Sequence, residues 1–241
     1  MRSARGRLSL FAAGALVLTG CTTTQHEAQR ERLDSARQRA ALGTTRVFGA
    51  NTVVRPTSVA QVRAGGRTAL LVTIRNHGRR AVTDLPISVG YTTSHGISVF
   101  LNSAADLDYF QTHLPAIGAG GSMTWIYTTR RAIPGGARPF ARVGLRRSAP
   151  ALLTDTNVTI PLRYRYLPAS HALTVHLSNP TSVPQYQLQV YAYARRGGRY
   201  VGAASATVTN LGAGSSRSVR LGLVGSLGNQ MHVQAIPTIL Q

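Results

Sequence analysis

Lysine is absent from this sequence and acidic residues are scarce: 27 basic side chains, all arginine, stand against 7 acids, for a formal net charge of +20. Without a lysine no Walker-type phosphate loop can be built, and a GC-rich genome, which favours arginine codons over A-rich lysine codons, accounts for the bias. A single cysteine, Cys21, excludes an internal disulfide framework and any zinc site made of cysteine alone. Beyond Asp34 the acids are Asp84, Asp106, Asp108 and Asp155, a thin supply for acid/base catalysis. No H-E-x-x-H zinc motif and no G-x-S-x-G nucleophile turn occurs. Long apolar runs are missing too. The longest, Leu8 to Leu18, falls short of the roughly 20 residues a bilayer-spanning helix needs. What is present, 241 residues with 43% hydrophobic content, suffices for one large or two small domains, each with its own core.

The first 20 residues have the grammar of an export signal: Arg2, Arg5 and Arg7, then the apolar run, then small residues before Cys21. Leu18-Thr19-Gly20-Cys21 resembles the lipobox of bacterial lipoproteins. That resemblance implies cleavage after residue 20 and acylation of Cys21, which becomes a lipid attachment point and places the chain on the cell membrane or the outer membrane. Stable anchoring takes more than one acyl chain. Residues 21–44 then read as a helical tether, free of proline and with glycine only at Gly43, with Thr24 and Glu27 in capping-box spacing and Arg30 and Asp34 four apart on one face.

After Gly43 the period changes from helical to alternating, with Gly, Pro, Asn and Ser between the runs. Leu70, Val72 and Ile74 share one strand face; Ile87, Val89 and Tyr91 another; Met123, Trp125 and Tyr127 a third. The same alternation places Val158, Ile160, Leu162, Tyr164 and Tyr166 together, then Leu173, Val175 and Leu177, then Leu188, Val190, Ala192 and Ala194. Gly197-Gly198 marks a two-residue hairpin, because both glycines tolerate positive φ. Two blocks also rhyme: a strand ending in Asn76 or Asn179, a strand through Pro86 or Pro184, and a loop reading LPAIGAGGS or LGAGSS. The first block, TALLVTIRNHGRRAVTDLPISVGY, resembles the CARDB-like immunoglobulin-like modules of bacterial surfaces. The second, LTVHLSNPTSVPQYQLQVYAYARRGGRYVGAASATVTNLGAGSS, is similar to those and to FxLYD-like modules. These resemblances imply an all-β chain of two antiparallel immunoglobulin-like β-sandwich domains, 45–149 and 150–241, serving as spacers, adhesion modules or partner docks.

Arginine is the functional signal. Eight arginines and one acid fall between Arg130 and Arg165. Arg142 and Arg146 share a strand face, Arg147 follows, and Arg163 and Arg165 share another, so these five are candidate anion-binding residues on one inter-domain surface, since guanidinium forks fit carboxylate and phosphate. The expectation is a non-enzymatic, cofactor-free binding or scaffolding module, held to the membrane by its lipidated cysteine. An envelope protein or an anionic polymer is the expected partner, and no specific nucleic-acid readout is expected. Three alternatives stand beside it: an arginine-rich binder of anionic envelope polymer or DNA, a secretion or assembly accessory lipoprotein, and a metal or enzymatic site in the loop 102–113. In that loop Asp106 and Asp108, with Asn102 and His113 nearby, can supply oxygen ligands to a hard cation, or the segment is a solvated loop with a short helix over Ala104 to Phe110. The histidines show no local metal spacing, and His171 and His176 fall on opposite faces of a strand by parity.

Overall fold

The computed structural model describes residues 47, 49–82, 84–104, 107–145 and 159–237. The signal, Cys21, the tether and the boundary at 149/150 lie outside the described residues, as do Asp106, Arg146, Arg147 and Asp155. Among the described residues the regular structure is strand, with two single turns of 3-10 helix.

The first unit has seven strands: β1 (Val54–Ala64), β2 (Arg67–Asn76), β3 (Leu85–Thr92), β4 (Ser98–Phe100), β5 (His113–Leu114), β6 (Ser122–Thr129) and β7 (Arg138–Val143). The second unit also has seven: β8 (Leu162–Leu167), β9 (Ala172–Ser178), β10 (Gln185–Arg196), β11 (Arg199–Leu211), β12 (Ser216–Gly222), β13 (Val224–Gly225) and β14 (Gln230–Ile236). In the first, sheet β1-β2-β6 faces a sheet in which β3 pairs with β4, β5 and β7. In the second, sheet β12-β9-β8 faces sheet β13-β11-β10-β14. All pairings are antiparallel, so each unit is an immunoglobulin-like sandwich of a three-stranded and a four-stranded sheet.

Alternation explains the cores. Leu70, Val72 and Ile74 of β2 stand opposite Tyr127, Trp125 and Met123 of β6, and together they pack on Ile87 and Val89 of β3 and Val143 of β7. Trp125 is the central side chain, with its indole N–H donating to Phe110 O at 3.1 Å. In the second sandwich Leu173, Val175 and Leu177 meet Leu188, Val190 and Ala192, while Leu162 and Tyr166 pack at the margin.

The other faces of β2 and β10 are buried as well, which an isolated sandwich would not require. Leu71 of β2 and Ile126 of β6 share one buried cluster with Tyr191 of β10, Ala203 of β11 and Val224 of β13. Thr128 Oγ1 meets Ser205 Oγ at 3.2 Å, and Gln234 Nε2 donates to Thr124 O at 3.0 Å. The inner sheets of the two sandwiches are therefore packed face to face, giving four stacked β layers with about 30 Å between the outermost sheets. Gly225 permits the close approach. Its φ is +91°, and a Cβ there would lie 2.4 Å from Val62 Cγ1 of β1 and 2.2 Å from Val201 O.

The repeat is visible at atomic level. Asn76 Nδ2 donates to the carbonyls of Arg80, Ile117 and Gly118 at 2.8, 3.3 and 3.0 Å. Asn179 Nδ2 donates to Val183, Leu211 and Gly212 at 2.9, 3.2 and 3.1 Å, the equivalent positions in the second copy. Each asparagine is fully buried and also accepts from the backbone N–H two residues on. An asparagine is suited to this place because its amide carries two donor hydrogens and an acceptor, enough to hold a turn and a distant Gly-rich loop together.

Candidate functional site

The outer face of sheet β12-β9-β8 follows from register. Leu162 and Tyr166 point inward from β8, so Arg163 and Arg165 point out, and both are exposed. Arg163 stands opposite His176, which stands opposite Ser218; Arg165 stands opposite Thr174, which stands opposite Arg220. Two cross-strand rows thus carry three guanidiniums, one imidazole and two hydroxyls. His176 Nδ1 and Ser218 Oγ are hydrogen-bonded at 2.6 Å. Residues 159–237 contain no Asp or Glu, so among the described residues of this sandwich no carboxylate neutralises the face.

A second basic feature lies where the sandwiches meet. Arg67, Thr128, Thr129 and Arg130 line an open cleft of about 360 Å³. Arg67 Nη1 reaches the end of β12, close enough that a Cβ on Gly222 would lie 3.2 Å from it. Gly222 is two residues beyond Arg220 on the same strand, and both are exposed. Sequence reading paired Arg163 with Arg165 by parity. It missed Arg220, His176 and Arg67, because strand register and the docking of two sandwiches bring them there, and neither is written in local spacing.

Arg142 does not join Arg163 and Arg165 on one surface, which corrects the expectation of a single inter-domain arginine face. Arg142 lies on the outer side of the β3-β7 sheet, and the sheet bearing Arg163 and Arg165 is the opposite outer layer of the stack. Its guanidinium sits 5.0 Å from the Phe140 ring centroid and 5.9 Å from that of Phe100, two rings in edge contact at 5.4 Å. The described chain enters on this same side: Val47 N donates to Ser88 Oγ at 2.9 Å, and Val47 is buried against Gly144 and Pro86. Arg195 is likewise engaged by aromatics, 4.4 Å from the Tyr200 centroid and bonded to its hydroxyl. Burial raises the Tyr200 phenol, yet hydrogen bonds to Thr73, Arg195 and Thr124, with the Arg195 charge, hold it below its ordinary value overall.

The 102–113 segment serves as a clamp between the sandwiches. Asn102 is fully buried; its amide donates to Ile87 O and Gln111 O at 2.9 Å each and accepts from Val89 N at 2.8 Å. Asp108 N–H donates to Gln111 Oε1 at 3.1 Å, opening a single 3-10 turn, Tyr109–Gln111, within the segment where a short helix over Ala104 to Phe110 was expected. Tyr109 and Phe110 of that turn are buried against Val183 and Tyr186 of the second sandwich. His113 stacks on Tyr109 at 4.1 Å, and burial lowers its pKa from 6.5 to about 4. Among the described residues no three His, Cys, Asp or Glu side chains converge on a metal-sized site. His171 lies outside β9, with φ +48°, bridging the Tyr166 hydroxyl at 2.8 Å and Gly225 O at 2.6 Å.

No family model and no curated protein matches the chain. Among solved structures, a red sea bream transglutaminase is similar at 12% identity and TM-score 0.24, over 93% of this chain and 33% of that one. The chain thus spans about a third of the length of that enzyme.

Proposed function

We propose that this is an exported lipoprotein, anchored through Cys21 in the cell membrane or outer membrane, that works as a rigid, non-enzymatic docking block in the envelope. The observation that carries the docking reading is the layer order. The described chain enters on one outer layer at Val47, and the opposite outer layer displays an acid-free face of arginine, serine, threonine and histidine. The face-to-face burial of Leu71 and Ile126 on Tyr191 and Ala203 supports rigidity, since a partner then meets one body instead of two beads on a string. Support for the anchor comes from Leu18-Thr19-Gly20-Cys21, placed directly after the apolar run.

The anchor is tested by radiolabelled palmitate in cells. Label on the wild-type chain, lost in Cys21→Ser together with membrane fractionation, is the expected result; an unlabelled wild-type chain overturns it. Docking is tested by pull-down from envelope extract with the mature Cys21→Ser chain, washed at low and then high salt, and retention of no envelope component at either salt refutes it.

A further inference from the structure

We infer that the outer face of β12-β9-β8 and the Arg67–Arg130 cleft form one continuous cationic track for a linear, base-free phosphodiester polymer of the polyol-phosphate type. This inference rests on the reading of the protein as an envelope docking unit and names its partner. Three observations carry it.

The first is continuity. Arg163 and Arg165 on β8 are followed across the sheet by Arg220 on β12, Gly222 comes next along β12, and Arg67 Nη1 lies against Gly222 and opens into the cleft that Arg130 completes. The absence of a side chain at Gly222 leaves the path open between the two sandwiches.

The second is spacing. Residues two apart on a strand recur about every 7 Å, and β8 and β12 are two strand separations, about 10 Å, apart. A three-bond peptide unit spans at most about 3.5 Å, so a six-bond phosphodiester repeat spans about 7 Å. Successive phosphates of an extended polyol-phosphate chain therefore meet Arg163 and Arg165 in step. Thr174, on the strand next to β8, lies opposite Arg165 with its hydroxyl in the same row.

The third is what the face omits. The two rows, Arg163-His176-Ser218 and Arg165-Thr174-Arg220, contain no Phe, Trp or Tyr, whereas single-stranded nucleic acid is ordinarily held by aromatic rings on which bases stack. A polymer without bases loses nothing on such a face. The track also lies on the layer opposite the one where the described chain enters at Val47.

The test uses the mature Cys21→Ser chain and a fluorescently labelled synthetic glycerol-phosphate oligomer, read by anisotropy. Arms with a single-stranded oligodeoxynucleotide of equal phosphate number and with phosphatidylglycerol vesicles run in parallel. The oligomer is expected to bind with a log–log salt slope of about −3.5, as five arginines on a flexible polyanion give. Arg163→Gln/Arg165→Gln/Arg220→Gln is expected to weaken binding at least tenfold. Arg67→Gln/Arg130→Gln should weaken a long oligomer by a similar factor but leave a three-phosphate oligomer within twofold. Arg55→Gln/Arg79→Gln/Arg80→Gln, exposed positions off the track, should change affinity less than twofold. The salt slope is read on the mature Cys21→Ser chain with every arginine in place and stands independent of any arginine variant's folding. Absence of binding, equal loss in the off-track variant, or tighter binding of the oligonucleotide or vesicles overturns the track. Since Cys21 is replaced throughout, these failures are distinct from failure of the anchor, and a salt-resistant envelope protein in the pull-down would keep the docking reading while refuting this partner.

Discussion

Asn179→Ala probes how far the two sandwiches behave as one body. Asn179 sits fully buried in the second sandwich and donates to Val183, Leu211 and Gly212 while accepting from Thr181 N. Alanine removes three donations to carbonyls and the two bonds Asn179 accepts from Thr181 N–H and Oγ1, while Val183 O keeps the Thr181 hydroxyl and Gly212 O keeps Ser215 as donors. With hydrogen bonds worth roughly 1 kcal/mol net each, and some of these groups able to reach water, the loss is about 3 kcal/mol. For a domain pair of this size a urea m-value of about 2.5 kcal/mol/M turns that into a midpoint drop of about 1.2 M. The single tryptophan, Trp125, is buried in the first sandwich, so its fluorescence reports a region the substitution does not touch, while far-UV circular dichroism reports both. Shared burial of Leu71 and Ile126 with Tyr191, Ala203 and Val224 predicts that the two midpoints fall together. A Trp125 transition that stays at its wild-type midpoint while the dichroism splits into two steps would refute the shared core.

Acid should weaken the fold through His113. Burial holds its folded pKa at about 4, below the ordinary 6.5, so the unfolded chain binds the proton more readily; the contribution is complete above pH 6.5 and is lost as pH falls toward 4. Partial exposure limits it to about 2 kcal/mol, and melting curves between pH 7.5 and 4.5 should lose that dependence in His113→Gln. Tyr191→Phe removes a hydroxyl that is buried without a hydrogen-bond partner, and whose pKa burial pushes far up, so stability should hold or rise by up to about 1 kcal/mol in urea titration. Gly225→Ala forces a side chain into Val62 Cγ1 and Val201 O at positive φ and should cost about 3 kcal/mol or more, lowering the Trp125 midpoint as well as the dichroism.

Strand alternation made much of each sandwich legible. Leu70, Val72, Ile74 and Trp125, and Leu173, Val175 and Leu177, all lie in cores where parity put them. Gly197 and Gly198 close the β10–β11 hairpin with φ +55° and +78°. β1 escaped notice because only Val54 and Val62 of Val54–Ala64 are buried, it carries Pro56, and it shifts register between Pro56 and Ser58, so no period survives in its sequence. Asn76 and Asn179 were readable as a rhyme, but their bonding to loops 42 and 33 residues away was not. The arginines show the limit of local reading. Arg142 and Arg163 look like neighbours along the chain, yet the stacking of Leu71 on Tyr191 puts two whole sheets between them. Tyr109 and Phe110 read as the edge of a polar loop until the second sandwich supplies Val183 and Tyr186 to cover them.

The seam between the inner sheets has a meaning for descent as well as for stability. Tandem repeats on a flexible string can be shuffled, lost or multiplied, because each unit keeps its apolar residues to itself. Here Leu71 and Ile126 of one copy share a buried cluster with Tyr191 and Val224 of the other, and the first copy's Tyr109 and Phe110 pack on the second. Either half alone would carry a bare apolar strip across a sheet, an invitation to aggregate. The two copies have become a couple that neither recombination nor truncation can separate without harm.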